Sequence, residues 1–203
     1  ILNDEAADDP VPLCGFAYSG SPATDETTVT EGDGGGDATH QITVSLTHPS
    51  TGDEYLSSRA TTFNYTVTAV SATGTGSRAD YTLANSSGTI DANAPSTTID
   101  ALITGDDFDE SDTETFTITL SGITNANDGT LTHTVTIADN DEPPTVEFST
   151  DLYADGTHNG SEATTTVPIT VTLSVESGRE VTVDYAATSQ NAEATNDYVL
   201  ASD

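Results

Sequence analysis

The feature that most constrains this chain is an alternation of apolar and polar residues with a period of two. Four stretches show it, and they read QITVSLT, TFNYTVTAV, TFTITLSG and LTHTVTIAD. Successive side chains of a β-strand point to opposite faces, so each stretch has one apolar face and one face made mostly of threonine. The predicted inward positions are Ile42, Val44, Leu46, Phe63, Tyr65, Val67, Phe116, Ile118, Leu120, Leu131, Val135 and Ile137.

Turn-forming clusters separate these stretches. They read EGDGGGD, TGTGS and NANDGT, and no part of the chain has the period of an amphipathic helix. Short strands joined by such turns are typical of antiparallel sheets. The sequence therefore predicts an all-β protein, a sandwich of two sheets around one core.

The charge of the chain limits its partners. The sequence has 34 Asp and Glu against three basic residues, and its formal net charge is -31. Such a surface repels nucleic acid phosphates and anionic lipids, and no apolar run approaches the ~18 residues of a membrane span. We therefore expect no nucleic acid partner and no direct membrane insertion. Two interpretations stay open for the acids themselves: a solvated surface, or carboxylates that converge on Ca²⁺.

The strand pattern restarts after Pro143 and Pro144. VPITVTLS corresponds to THQITVSLT, VTVDYAAT to FNYTVTAV, and NDYVL to RADYTL, while the opening ILNDEAADDP corresponds to IADNDEPP. We therefore predict the tail of a preceding repeat and a linker at 1–9, a complete domain at 10–142, and the first half of a following domain at 143–203. Two alternatives stay open: a window on a longer tandem array, or a subunit whose half domain a neighbour completes by strand addition.

Taken in order, four motifs resemble the Calx-beta family. They are the Gly-Asp hairpin, an Asp-Tyr after a turn, the acidic GDDFDESDTETF, and the closing ADND. The resemblance covers nearly the whole chain. It implies an immunoglobulin-like antiparallel β-sandwich, in tandem copies. Domains of this family serve as calcium sensors in sodium/calcium exchangers and as repeats in large extracellular adhesion proteins.

The resemblance also implies a set of Ca²⁺ ligands, because in members that bind Ca²⁺ three acidic loops meet at one pole. Carboxylate oxygens from separate loops suit this ion, which takes six to eight oxygen ligands. Two ligands are implied by their positions in the second copy: Asp197 corresponds to Asp80, and Glu147 corresponds to an acidic ligand that the family has near its first strand. The implied ligands are Asp80, Asp106, Asp107, Glu110, Asp139, Asp141, Glu147 and Asp197.

The sequence departs from the family pattern at two places that bear on the predicted Ca²⁺ ligands. The first copy has PVPLCGFAY where the second has Glu147, so one acidic ligand is missing from it, and Thr113 is an extra residue before Glu114. The competing interpretation is that these acids form only a solvated end of the sandwich. Against it, crowded like charges destabilise a fold unless a cation neutralises them.

The functional hypothesis is a calcium-binding structural or adhesive repeat at the cell surface or outside the cell. Its expected partners are adjacent repeats or identical subunits, and surface or matrix glycans or proteins. The alternatives are a regulatory calcium sensor of a membrane transporter and a halophile surface-layer or filament subunit. The sequence has no Trp to line a sugar cleft and no Gly-x-Ser-x-Gly motif, so we predict no enzyme.

Two further features remain open in the sequence. Cys14 is the only cysteine, so no disulfide forms within the chain. Asn64, Asn85 and Asn159 each begin an Asn-x-Ser/Thr triplet, which allows glycosylation where the source organism performs it.

Overall fold

The structure is a computed structural model that describes residues 10–16, 26–149, 169–188, 190–194 and 196–199. The predicted tail at 1–9 and the triplet at Asn159 lie outside these residues. Contacts divide the chain into two compact units, 1–143 and 144–203, and each is described by itself. No helix among the described residues is long and apolar enough to cross a membrane.

The first unit is a sandwich of two five-stranded sheets. The first sheet has the order β5 (Tyr81–Leu83), β7 (Ser96–Ile103), β3 (Ala38–Thr47), β1 (Leu13–Phe16) and β9 (Asn127–Asp128). The second sheet has the order β2 (Glu26–Thr30), β10 (Thr132–Ala138), β8 (Thr113–Ser121), β4 (Thr61–Ala69) and β6 (Ser87–Ile90). The predicted all-β sandwich is confirmed.

Most neighbouring strands of this sandwich are antiparallel, but two pairings at the sheet edges are parallel. β1 runs parallel to β9, and β2 runs parallel to β10. The alternation of side chains predicts neither pairing, because it gives the face of a residue and not the direction of its neighbour. The parallel pairing of β2 has a consequence for the site, since β2 and β10 end at the same pole.

The core contains the predicted inward residues of both sheets. All of them are buried except Val67 and Leu131, which are partly buried against the core. Tyr81 of the first sheet stacks on Phe116 of the second, with ring centroids 3.9 Å apart. This contact joins the two sheets, and burial of such large aromatic side chains supplies much of the driving force for folding.

A polar link joins the sheets at the β2 edge. The Thr27 hydroxyl lies 3.0 Å from Nε2 of His40 on β3 and 3.0 Å from Nε2 of His133 on β10. His133 is buried at an inward strand position and packs near Phe16, with ring centroids 5.2 Å apart. These histidines hold β2 against the sandwich.

The second unit contains a short antiparallel pair, β11 (Val146–Phe148) and β12 (Val171–Leu173). Alternate residues 181, 183 and 185 are apolar and exposed. An isolated bridge between Ala194 and Tyr198 closes a turn in the same unit.

We predict that Phe116→Ala lowers the free energy of unfolding of the first unit by about 3 to 5 kcal/mol, because it leaves a cavity beneath Tyr81. The control is Thr66→Ala, an exposed position on β4, for which we expect a change below about 1 kcal/mol. Urea unfolding followed by tyrosine fluorescence measures both. Equal effects of the two substitutions would contradict the assigned core.

Candidate metal site at one pole of the first unit

Strand ends of both sheets meet at one pole of the first unit. Thr113, the first residue of β8, pairs with Ala138, the last residue of β10, and Ala138 pairs with Thr30, the last of β2. In the other sheet, Tyr81 at the start of β5 pairs with Ile103 at the end of β7. The adjoining loops are 31–37, 70–80, 104–112 and 139–141. We call this end of the unit the acidic pole.

The glycine-rich loop 31–37 packs directly on the loop that follows β7. The backbone N–H groups of Gly34 and Gly35 donate to the carbonyls of Asp106 and Gly105, at 3.0 and 2.9 Å. A Cβ atom at Gly105 would lie 2.1 Å from the carbonyl oxygen of Gly32, so only glycine fits at this crossing. This close approach brings the acids of the two loops together.

Six carboxylates of the acidic pole form two groups, in each of which one oxygen of every member lies within 4.8 Å of the others. The Glu31 group contains Glu31, Asp139 and Asp141, and the Asp80 group contains Asp80, Glu110 and Glu114. Glu31 and Asp80 are buried, and the other four are half-buried. Neither group contains a sulfur or imidazole ligand.

Asp139 connects the two groups. Its Oδ2 accepts a hydrogen bond from the Glu110 N–H at 2.7 Å, and its Oδ1 accepts one from the Asp141 N–H at 2.8 Å. These two bonds fix the orientation of the carboxylate. Burial is the main cause of the raised pKa of Glu31 and of Glu110, and the charge of Asp139 adds to both, so the two groups are electrostatically coupled.

Asp80 is held by backbone on both sides. Its carboxylate accepts a hydrogen bond from the Thr73 N–H, its own N–H donates to the Thr73 carbonyl at 2.9 Å, and its carbonyl accepts from the Thr104 N–H at 2.9 Å. The next residue, Tyr81, is in the core stack. The position of Asp80 is therefore set by the fold and not by a flexible loop.

Burial and repulsion raise the pKa of several acids at this pole. Burial, with a hydrogen bond and repulsion from Asp139, raises the pKa of Glu31 to about 8. Burial and a hydrogen bond to Asp80 raise the pKa of Glu114 to about 7. The pKa values of Glu110 and Asp141 are raised as well, chiefly by burial. These carboxyl groups are stabilised by protons or by a cation.

Arg78 gives only partial compensation at the acidic pole. It opposes the rise in the Glu110 pKa, and its guanidinium carbon lies 4.2 Å from the centroid of the Phe108 ring. One positive charge is too little for six clustered carboxylates. The pole therefore favours an added cation.

The donor chemistry of the pole fits Ca²⁺. Oδ2 of Asp141 is buried and accepts no hydrogen bond from the described residues, although a buried carboxylate oxygen normally has a partner. Each group offers three carboxylates, and Ca²⁺ prefers such hard oxygen ligands. The residues of both groups would hold the ion, which would supply the positive charge that the pole lacks.

The structure places the eight predicted ligands in three settings. Asp80, Glu110, Asp139 and Asp141 belong to the two groups. Asp106 and Asp107 lie at the same pole but outside both groups: Asp106 accepts from the Phe108 N–H at 2.9 Å, and Asp107 lies beside Gly34. Glu147 and Asp197 belong to the second unit, where both are exposed.

Two members of the groups are absent from the ligand set predicted from the sequence. Glu31 reaches the pole because β2 runs parallel to β10, a pairing that the sequence pattern does not indicate; its N–H donates to the Ala138 carbonyl at 3.1 Å. Glu114 has a signal in the sequence. It lies two residues before the inward Phe116, so the period of the strand directs both side chains to the same face.

The comparisons with known proteins concern the fold. No protein-family model matches the sequence, and no curated protein matches it. The solved structures similar to this chain include the apo form of the Calx CBD1 domain, with 18% identity, a TM-score of 0.47, and coverage of 65% of this chain and 100% of that domain. Calx domains are thus among the structures that this chain resembles, as the motifs predict.

Two further structures of this kind are similar to the chain. The calcium-binding domain CBD12 of CALX1.1 has 17% identity and a TM-score of 0.46, over 67% of this chain and 49% of that structure. The Calx CBD2 domain has 14% identity and a TM-score of 0.43, over 64% of this chain and 88% of that domain. The chain therefore spans about half of the CBD12 structure, all of CBD1 and most of CBD2.

We predict that the metal-free protein loses stability as pH rises from about 5 to 8. Glu31 and Glu114 bind protons in the folded state up to pH values near 8 and 7, but only up to about 4.5 when unfolded, so the folded state holds more protons over this interval. Thermal unfolding in excess chelator measures the effect. The unfolding temperature of the double variant Glu31→Gln/Glu114→Gln is expected to depend less on pH. The same pH dependence in both proteins would refute the raised pKa values of Glu31 and Glu114.

Proposed function

We propose that the first unit is a calcium-binding module, and that Ca²⁺ binds at the acidic pole through the Glu31 group and the Asp80 group. The observation that carries the proposal is the convergence of six carboxylates in two adjacent groups, with the buried Oδ2 of Asp141 unpaired among the described residues. Such an arrangement has a high electrostatic cost without a cation, and a divalent cation removes it.

The role that we propose for the ion is structural. The two groups draw ligands from both sheets: Glu31, Glu114 and Asp139 adjoin strands of the second sheet, and Asp80 adjoins β5 of the first. An ion bound by these residues links strand ends and loops that are distant in the sequence. Binding free energy that is available only in the folded state adds to the stability of the fold.

We further propose that the module serves in an extracellular structural or adhesive protein, as one of several repeats. Support comes from the restart of the strand pattern after Pro143 and Pro144 and from the strongly acidic composition. Asp141 is two residues from Pro143, so a bound ion would order the chain next to a segment whose prolines restrict backbone rotation. The expected partners are other repeats of the same kind.

The first experiment measures Ca²⁺ binding to the full chain by calorimetry and by thermal unfolding. We expect Ca²⁺ to raise the unfolding temperature more than Mg²⁺ does, because Mg²⁺ requires a smaller, near-octahedral site and gives up its waters reluctantly. Unfolding temperatures that are the same in Ca²⁺ and in chelator, together with no heat of binding, would refute the proposal.

Substitutions assign the ion to the two groups. Changing even an outer-shell partner of a metal site commonly costs roughly 10- to 100-fold in affinity, so we expect at least that loss for Glu31→Gln at one group and for Glu114→Gln at the other. Asp139→Asn is expected to weaken binding at both groups. The control is Asp91→Asn, an exposed acid that follows β6 beside the start of β4, away from the acidic pole. Equal losses in the control would point to non-specific attraction by net charge.

The structural role has its own test. Small-angle scattering of the full chain is expected to give a narrower range of dimensions with Ca²⁺ than with chelator, and Asp139→Asn is expected to remove the difference. A Ca²⁺-induced change confined to the first unit, with unchanged overall dimensions, would favour a sensor over a stiffening element.

A further inference from the structure

The second unit repeats the strand pairing of the first. In the antiparallel pair β11–β12, Val146 lies opposite Leu173 and Phe148 lies opposite Val171. The corresponding register of β1 and β3 pairs Cys14 with Leu46 and Phe16 with Val44. Directly opposite residues share one face of a sheet, so the four apolar residues of β11 and β12 form one face, as their counterparts do in the first unit.

A second correspondence lies at the turn before the Asp-Tyr motif. The Asp197 carboxylate accepts a hydrogen bond from the Glu193 N–H at 2.7 Å, and the Asp197 N–H donates to the Glu193 carbonyl at 2.9 Å. Asp80 makes the same reciprocal pair of bonds with Thr73. The two units therefore share local geometry at two separate places, as well as a sequence pattern.

The corresponding apolar residues differ in what covers them. Phe16 is 4% exposed, whereas Phe148 is 66% exposed; Leu46 is fully buried, whereas Leu173 is 41% exposed. Val171 and Ile169 are exposed in the same way. We call the face formed by Val146, Phe148, Val171 and Leu173, with Val181 and Val183 beside it, the valine face. All of these residues except Phe148 line a shallow hollow.

The first unit identifies the elements that cover such a face. There β7 pairs with the edge of β3 that β1 leaves free, from Ala38–Ile103 to Ser45–Ser96. Inward residues of β8 and β10 cover the core from the second sheet; they are Phe116, Ile118, Leu120, Val135 and Ile137. Among the described residues of the second unit, β11 is the one strand paired with β12.

We propose that the valine face is a docking surface for the second half of a repeat of this kind, a polypeptide segment with the strand pattern of β7, β8 and β10. The segment adds a strand to the free edge of β12 and places alternating apolar side chains on the valine face. Main-chain hydrogen bonds supply the pairing, and the spacing of the apolar residues supplies the specificity. Burial of the face completes a second sandwich.

The interface inside the first unit is the reason for this choice of occupant. In that unit, the apolar face of β1 and β3 has the same register as the valine face, and strands of alternating threonine and aliphatic residues cover it. A second copy of the chain would present its own valine face, and its β7, β8 and β10 are already in its first unit. Self-association through the valine face is therefore the competing outcome.

The test is an extended chain in which a copy of residues 87–142 follows Asp203. Leu83 and Leu200 occupy corresponding positions, so Ser87 is the residue next in register after Asp203. We expect the backbone amides of residues 171–173 to exchange with deuterium about tenfold or more slowly in the extended chain than in the parent, because β12 gains a second paired neighbour and becomes buried. A second cooperative thermal transition is expected with it.

The matched control is the same extended chain with serine in place of the added copies of Phe116, Ile118 and Leu120. It keeps the length and charge of the extension but lacks the apolar residues, so its amides at 171–173 are expected to exchange as in the parent.

Equal exchange in the extended chain and the control would overturn the proposal. So would a parent chain that is a dimer and becomes a monomer with Val171→Asp, since that result assigns the valine face to a second copy. Performed in chelator, the test does not depend on Ca²⁺ binding.

Discussion

The stack of Tyr81 on Phe116 is the contact on which both the fold and the acidic pole depend. It joins the two sheets of the first unit, with ring centroids 3.9 Å apart. Asp80 immediately precedes Tyr81, and Glu114 lies two residues before Phe116 on the same face of β8. Core packing thus holds two carboxylates close together despite their mutual repulsion. The free energy of core packing offsets that repulsion, and a bound cation or bound protons reduce it.

Within the acidic pole, Asp139 is the residue that connects the two carboxylate groups. It follows β10, its two oxygens accept the Glu110 and Asp141 N–H groups, and its charge influences both carboxylate groups. An ion at one group would lower the repulsion felt at the other through this residue. We therefore regard the acidic pole as one coupled site with two parts, rather than as two independent patches of surface charge.

Much of the fold could be predicted from the sequence, because a period of two assigns each side chain of β3, β4, β8 and β10 to a face. The direction of the edge strands could not. Whether β2 lies parallel or antiparallel to β10 depends on the path of the chain between them, and Glu31 reaches the acidic pole only through the parallel pairing. The resemblance to the Calx-beta family, and not the strand period, implies that Asp80, Glu110, Asp139 and Asp141 lie at one pole, and the structure places these four in the two carboxylate groups. Asp106 and Asp107, although neighbours of these residues, make other contacts at the pole.

Nuclear magnetic resonance of the backbone amides during a Ca²⁺ titration tests most directly whether the acidic pole binds Ca²⁺. The N–H groups of Glu110 and Asp141 donate to the two oxygens of Asp139, and the N–H of Glu31 donates to the carbonyl that precedes Asp139. We expect these three amide resonances to shift most and to saturate with added Ca²⁺. Small shifts spread over exposed acids such as Asp53 and Asp91, without saturation, would contradict a calcium site at the acidic pole.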